Sequence, residues 1–531
     1  MNDVAASHAA RVRALWIAVF AAAGALVVAR NLAALSWVPP GLYADEASVG
    51  YNAWTIAHFG VDEHGIRFPL FFEAFGEYKN PIYIYALAPL LLFLPLTSAV
   101  ARFPAALFGL ITVLFVTMAA WRLSHSRLVA LLVLALAALT PWLTQESRLG
   151  FEVSAVVALL AVGFWCLADE QHVSPARFAI AGTCFGLAVY GYTSGRLEVL
   201  LFAGAFVVAY AARRSRRRGW PWFLAPIGVA YVLLGLWGWR NPGALTARFD
   251  LLSIASDGAP LPTLIARFLH NYVGHFSPGF LFINGDDNLR HNTGFTGMLL
   301  AVTLPLMLVG IWACWRRRAE SLPRFVLLTL LLGPAAAALT VEPVPHSLRS
   351  AVMLPGFLLL AAFGLAGIRS MLAGRALRTA AAAIAVALLA QGGLYTIDMY
   401  TAYPMRSAIW FDTGVEPAIA AAAAARRDSS AMYVSSTLEV PYIQVFFALR
   451  PPPPASRVSD AVSAGLSRLG VRIVDPRVAG ATARAGDVLV LGGGDMPPAG
   501  SFEWLDIEYA PRNPLQTNAP RPVLAYAVKL L

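Results

Sequence analysis

The chain contains almost no lysine: of its 40 basic residues, only Lys79 and Lys529 are not arginine. Charge of either sign is scarce too, at 13% of 531 residues, and there are three cysteines. Each shortage excludes something. A water-soluble globular chain carries about a quarter charged residues, so this one is not built to be wetted all round. Cys166, Cys184 and Cys314 all lie inside apolar runs, which rules out a disulfide framework or a cysteine-based zinc motif. The net charge of +10 does not describe a nucleic-acid-binding face. The arginines gather in short tracts between apolar runs, at 213–218, 316–318 and Arg369, Arg375 and Arg378, as cytoplasmic loops of membrane proteins do.

Apolar residues are what the chain has in abundance, at 58%, with a mean hydropathy of +0.63. Apolar runs recur that are long enough for the roughly 20 residues a bilayer-crossing helix needs. Eleven of them, from Leu15–Leu35 to Thr379–Ile397, predict an all-α polytopic membrane protein of about 11 spanning helices. Arg11 and Arg13 before the first run resemble a signal peptide, but the run is too long and Trp37-Val-Pro-Pro is a poor cleavage site. It reads as a retained helix with a cytoplasmic N-terminus. The run at 81–96 is ambiguous. If it spans, the basic 122–127 turn faces outward. If it re-enters or lies in the outer interface, every basic tract faces the cytoplasm. The second arrangement is favoured and puts the C-terminus outside.

From Tyr400 the composition changes, with Pro451–Pro454, mixed charges and short apolar runs. Runs at 431–435, 472–474, 487–491 and 523–530 read as strands and 417–426 as a helix, predicting a small C-terminal α/β extracytoplasmic domain. The expected organisation is a membrane domain, 1–398, with outer loops 37–100 and 241–294, followed by the α/β domain, 399–531. The Gly492-Gly-Gly494 run lacks the spacing of a dinucleotide-binding turn.

Nearly all informative polar residues fall on the outer side. An adjacent carboxylate pair, Asp45 and Glu46, follows the first helix, and the isolated Lys79 lies one loop later. A carboxylate that takes a proton beside a cation that holds phosphate suits sugar transfer from a lipid phosphate. Each residue also has a bland explanation. Asp and Glu are favoured in a helix's first turn, and Lys79 and Arg102 could be interfacial anchors with their charged ends in the headgroups. Glu146 could pair with Arg148 at an outer helix junction, or Arg148 could reach substrate. Tyr192 and Arg196 have the same two readings. Segment 270–291 holds three histidines and the pair Asp286 and Asp287, a possible divalent-metal site or a solvated loop lining the acceptor path.

The order Tyr43-Ala-Asp-Glu46, Glu77-Tyr-Lys-Asn-Pro-Ile-Tyr83, Ala101-Arg-Phe-Pro-Ala105, Gln145-Glu-Ser-Arg148, Tyr190-Gly-Tyr-Thr-Ser-Gly-Arg196, Phe280-Leu-Phe-Ile-Asn-Gly-Asp286 and Pro345-His-Ser-Leu-Arg349 resembles bacterial GT-C membrane glycosyltransferases. These are relatives of protein O-mannosyltransferases and of the aminoarabinose transferases that modify lipid A. The resemblance covers most of residues 15–400. It implies an inverting enzyme of the bacterial inner membrane, with a polyprenyl-phosphate sugar donor and a lipid, protein or glycan acceptor reached from outside. It implies Asp45 as base with Glu46 beside it, and Lys79, Arg102 and Arg349 as phosphate ligands. Glu77, Tyr78, Arg148, Tyr192, Arg196, Asp286, His291 and His346 become candidate substrate contacts. No cofactor is required by the sequence, a divalent metal is possible, and nucleic acid is not an expected partner. Many relatives place a double proline after the lysine; here Asn80 intervenes. A transporter is the alternative reading, but transporters carry charges near mid-membrane, often in related halves. A non-catalytic assembly protein is the third.

Overall fold

The computed structural model describes residues 2–169, 174–211, 219–427, 430–516 and 521–531. The 213–218 arginine tract and its predicted cytoplasmic side lie outside those residues. Among the described residues, six helices are long and apolar enough to cross a membrane: Ala10–Leu32, Ser98–Ser124, Trp220–Arg240, Ser321–Ala338, Ser347–Met371 and Gly374–Thr401. The expected count of about eleven is therefore not reached by helix length alone. Several runs that read as spans fold as shorter helices, among them Arg127–Leu139, Val153–Leu167 and Thr303–Arg316. At about 1.5 Å per residue, a 13-residue helix covers only about 20 Å. The run after Lys79 is also short: Pro81–Leu87 followed by a 3-10 turn, Ala88–Leu92.

The bundle core is a continuous apolar cluster built largely from Ser98–Ser124, Val153–Leu167, Leu354–Met371 and their neighbours. Two glycines set its closest contact. A Cβ on Gly364 would sit 1.9 Å from the Leu306 carbonyl, and one on Gly310 would sit 2.1 Å from that of Leu360. Helices Thr303–Arg316 and Leu354–Met371 thus touch backbone to backbone, as small residues permit in membranes.

The outer side begins with helix Ala44–Phe59 and a hairpin of β1 (Phe72–Ala74) and β2 (Glu77–Lys79), with Phe72 paired to Lys79. Gly76, at φ 76°, makes the tight turn between the strands. The C-terminal region holds β3 (Met432–Ser435), β4 (Val471–Val474), β5 (Val488–Gly492), β6 (Phe502–Tyr509) and β7 (Val523–Leu530). They form one sheet in the order β4-β3-β5-β7-β6, with β3 parallel to β4 and β5 and the other pairings antiparallel. Edge strand β6 was not anticipated: its Glu503, Asp506 and Glu508 dilute the apolar signal. The sheet region packs on helix Ala44–Phe59 through helix Pro441–Leu449, in a second core that includes Val49, Tyr51, Phe446 and Phe447.

We expect Gly364→Ala to destabilise the purified protein by about 1–3 kcal/mol, the usual range for overpacking. Gly393→Ala, whose Cβ would meet nothing within 4 Å, serves as control. Thermal melting in detergent checks this, and equal melting of both variants would contradict the close packing.

Candidate active site

Adjacent residues on a helix point about 100° apart, and the first turn of Ala44–Phe59 uses that divergence. Glu46 turns inward and is fully buried. It grips Arg102, also fully buried, through two bonds of 2.8 Å: Nε to Oε1 and Nη2 to Oε2. The Gly150 N–H donates to Glu46 Oε1 at 2.8 Å, and the Tyr43 N–H to Oε2 at 3.2 Å. The remaining Arg102 hydrogens go to the carbonyls of Leu35, Pro39 and Gly41 at 2.7–3.0 Å. All five guanidinium N–H donors are thus occupied. Arg102 spends its donors holding the 35–46 segment and is not among the residues that line the cavity beside Asp45 and Lys79. Arg148 is likewise structural, donating from its buried position to the carbonyls of Ala33, Val38, Arg30 and Asn31. It does not reach the cavity.

Asp45 points the other way, into a cavity of about 300 Å³. Its carboxylate meets the Lys79 ammonium directly. The Asp45 side chain keeps 34% of its surface exposed, against 8% for Lys79. Lys79 is delivered by the end of β2, and Glu77, on the same face two residues earlier, accepts from it at 3.1 Å. Burial lowers the Lys79 pKa, but Asp45, Glu77 and Glu152 more than reverse this, and the ammonium stays charged. Tyr78, Tyr192, Arg196 and Arg349 also line this cavity, so seven of the residues singled out in the sequence share one hollow.

Three further lining residues had no assigned role. Glu152 caps the cavity floor and accepts from Asn80 twice, from the backbone N–H at 2.5 Å and from Nδ2 at 2.9 Å. Asn80 in turn accepts from Arg196 Nη2 at 3.4 Å. The residue that interrupts the lysine–proline spacing is therefore a bracket between a carboxylate and a guanidinium. Arg248, on the six-residue helix Ala247–Leu252, bridges Glu77 at 3.1 Å and Glu342 at 3.4 Å. Glu342 also receives Arg349, whose other arm donates to Thr340 Oγ1 at 2.8 Å. In all, four cations and three carboxylates line the hollow. Leu245, Phe249, Leu252, Leu339 and Leu348 line it as well.

Asp286, His291 and His346 are not on this cavity. They cluster behind the turn that carries Arg349, with His291 Nδ1 3.1 Å from Asp286 Oδ2. His270 and Asp287, which the sequence grouped with them, are exposed and apart.

No protein-family model matches the chain, and no curated protein sequence matches it. Solved structures do. The fold is of the GT-C type. One similar structure is ArnT from Cupriavidus metallidurans bound to undecaprenyl phosphate, at 13% identity and a TM-score of 0.56, over 96% of this chain and 98% of that one. The same enzyme in the apo state aligns at 14% identity and a TM-score of 0.56, over 97% and 98%.

Two predictions follow from the side-chain partners. Arg102→Ala strands the Glu46 carboxylate in the interior, and we expect a loss of about 3–5 kcal/mol, as for other broken buried pairs. A variant that melts like the parent and loses only donor affinity would return Arg102 to the phosphate. Burial, only partly offset by Lys79 and Asn80, raises the Glu152 pKa from 4.5 to about 7. The stability linked to its protonated form is full below pH 4.5 and lost as pH rises through about 7. Glu152→Gln should flatten that part of the melting-temperature profile, and an unchanged slope would contradict the shift.

Proposed function

We propose that the protein is an integral membrane glycosyltransferase that moves a sugar from a polyprenyl-phosphate donor to an acceptor on the extracytoplasmic side. The observation that carries this reading is the contact between Asp45 and Lys79, 34 residues apart in sequence, inside a hollow lined by both charged and apolar side chains. The lipid phosphate in the ArnT structure gives the chemistry a precedent on the same fold.

In the proposed reaction the donor phosphate lies against Lys79, with Arg248 and Arg349 at its flank. Lys79 then shares its hydrogens between phosphate and Asp45, which loosens the carboxylate. Asp45 accepts the proton of the acceptor hydroxyl or amine as that atom attacks the anomeric carbon. The anomeric carbon–oxygen bond breaks, and the electron pair leaves on the phosphate, whose growing charge the three cations stabilise. Attack opposite the leaving group inverts the anomeric centre. Glu152 is buried and its oxygens are engaged by Asn80, so its part is to hold Asn80 in place. The sugar is a hexose or pentose, and the acceptor a lipid, protein or cell-envelope glycan. The membrane is the bacterial inner membrane, with the N-terminus inside and the C-terminal domain outside.

We expect Asp45→Asn to lower turnover by about 10²–10⁴-fold, the usual contribution of general-base catalysis, with donor binding kept. Lys79→Ala should weaken donor binding itself. Native-rate transfer by Asp45→Asn would remove Asp45 as base, and uptake into proteoliposomes without any transfer would favour a transporter. Orientation is read by single cysteines in a cysteine-free background. An impermeant reagent applied from outside should label positions 287 and 457 but not 318, and labelling of 318 alone would invert the arrangement.

A further inference from the structure

The geometry points to a site for one zinc-class divalent cation formed by Asp286, His291 and His346, outside the proposed reaction cavity. The three residues come from two segments about sixty positions apart and are buried together, at 4%, 6% and 8% exposure. Each offers one donor atom, and the three atoms lie within 4.8 Å of one another. Two imidazoles and a carboxylate are a zinc-type donor set.

Three details distinguish this cluster from an ordinary hydrogen-bonded knot. His291 Nδ1 and Asp286 Oδ2 are 3.1 Å apart. That is near the roughly 3.3 Å edge of a tetrahedron with zinc bonds of about 2.0–2.1 Å. His346 Nδ1 is buried with no hydrogen-bond partner among the described atoms. An imidazole nitrogen left without a partner is the exception in folded interiors. The His346 Nε2 lies 3.5 Å from Glu342 Oε2, and neighbours hold Asp286 and the His346 backbone, as the surroundings of a metal ligand do. Ser347 donates to Asp286 Oδ2 from both its N–H and its hydroxyl, at 2.8 Å each. His275 Nε2 accepts the His346 N–H at 3.2 Å, while its Nδ1 donates to the Asn271 carbonyl at 2.8 Å.

Loading the site needs a bare nitrogen at His291 Nδ1, its hydrogen moving to Nε2, and Asp286 keeps its Ser347 bonds. The His346 ring closes by up to about 1.5 Å to bring its nitrogen to the tetrahedral spacing set by zinc–nitrogen bonds of about 2.0–2.1 Å. Three protein donors leave a position for water. None of the three residues lines the reaction cavity, yet His346 stands three residues before Arg349, which does. The ion would pin the outer segment around 286–291 to the turn that presents Arg349.

The test reads metal rather than sugar transfer, so its outcome is independent of the proposed activity. Full-length protein in detergent is stripped with a chelator, incubated with Zn²⁺, desalted and analysed for metal. About one zinc per chain is expected for the parent and for His270→Ala, and at least tenfold less for His291→Ala and His346→Ala. Cobalt in the parent protein should give the intense visible absorption of a tetrahedral site, a reading that needs no variant to fold. Failure of the parent to retain zinc, retention undiminished in both histidine variants, or an octahedral cobalt spectrum would each overturn the assignment.

Discussion

The buried pair of Glu46 and Arg102 is the constraint on which the outer side depends. Desolvating two charges is costly, and such a pair holds only when every remaining hydrogen-bonding group is met. Here they are met by the carbonyls of Leu35, Pro39 and Gly41 and by the N–H groups of Tyr43 and Gly150. One ion pair thus fixes the chain leaving the first helix, the start of helix Ala44–Phe59 and the entry to Val153–Leu167. Because Glu46 is locked inward, its neighbour Asp45 can only face the cavity. The same helical turn supplies a structural acid and a chemically available one.

Around Asp45 the charges are organised as alternating partners rather than as a patch of one sign. Lys79 touches Asp45 and Glu77, Glu77 touches Arg248, Arg248 touches Glu342, and Glu342 touches Arg349. A chain of this kind stays neutral enough to persist beside apolar side chains. It can also reorganise when an anion arrives, since each cation already holds a replaceable carboxylate. Arg248 is the most exposed link, at 47% of its side-chain surface, and so costs least to redirect. The rigid and the adjustable parts of the site are therefore different residues: Glu46 and Arg102 fully buried, Arg248 exposed.

Much of this was legible in the sequence, and the misses have physical causes. Asp45 and Lys79 stood out through scarcity and position, and the order of outer motifs carried the fold through 13–14% identity. A buried ion pair and a phosphate ligand use the same residue types, so the sequence alone does not show that Arg102 spends its five donors on Glu46 and three carbonyls. Arg248 was invisible inside a long segment read as loop, since a six-residue helix leaves no periodic signal. The Asp286, His291 and His346 cluster needs tertiary closure between distant turns, so the sequence shows only the 270–291 segment and not His346 beside it. The number of spans is not legible from apolar runs alone, because apolar composition fills short, broken helices as readily as long ones once neighbours cover them.

The most direct measurement is an experimental structure of the protein with undecaprenyl phosphate bound. The account predicts the phosphate against the Lys79 ammonium, with Arg248 or Arg349 turned toward it and Asp45 released on the acceptor side. A phosphate held away from Lys79, or one met by an Arg102 that has let go of Glu46, would contradict it.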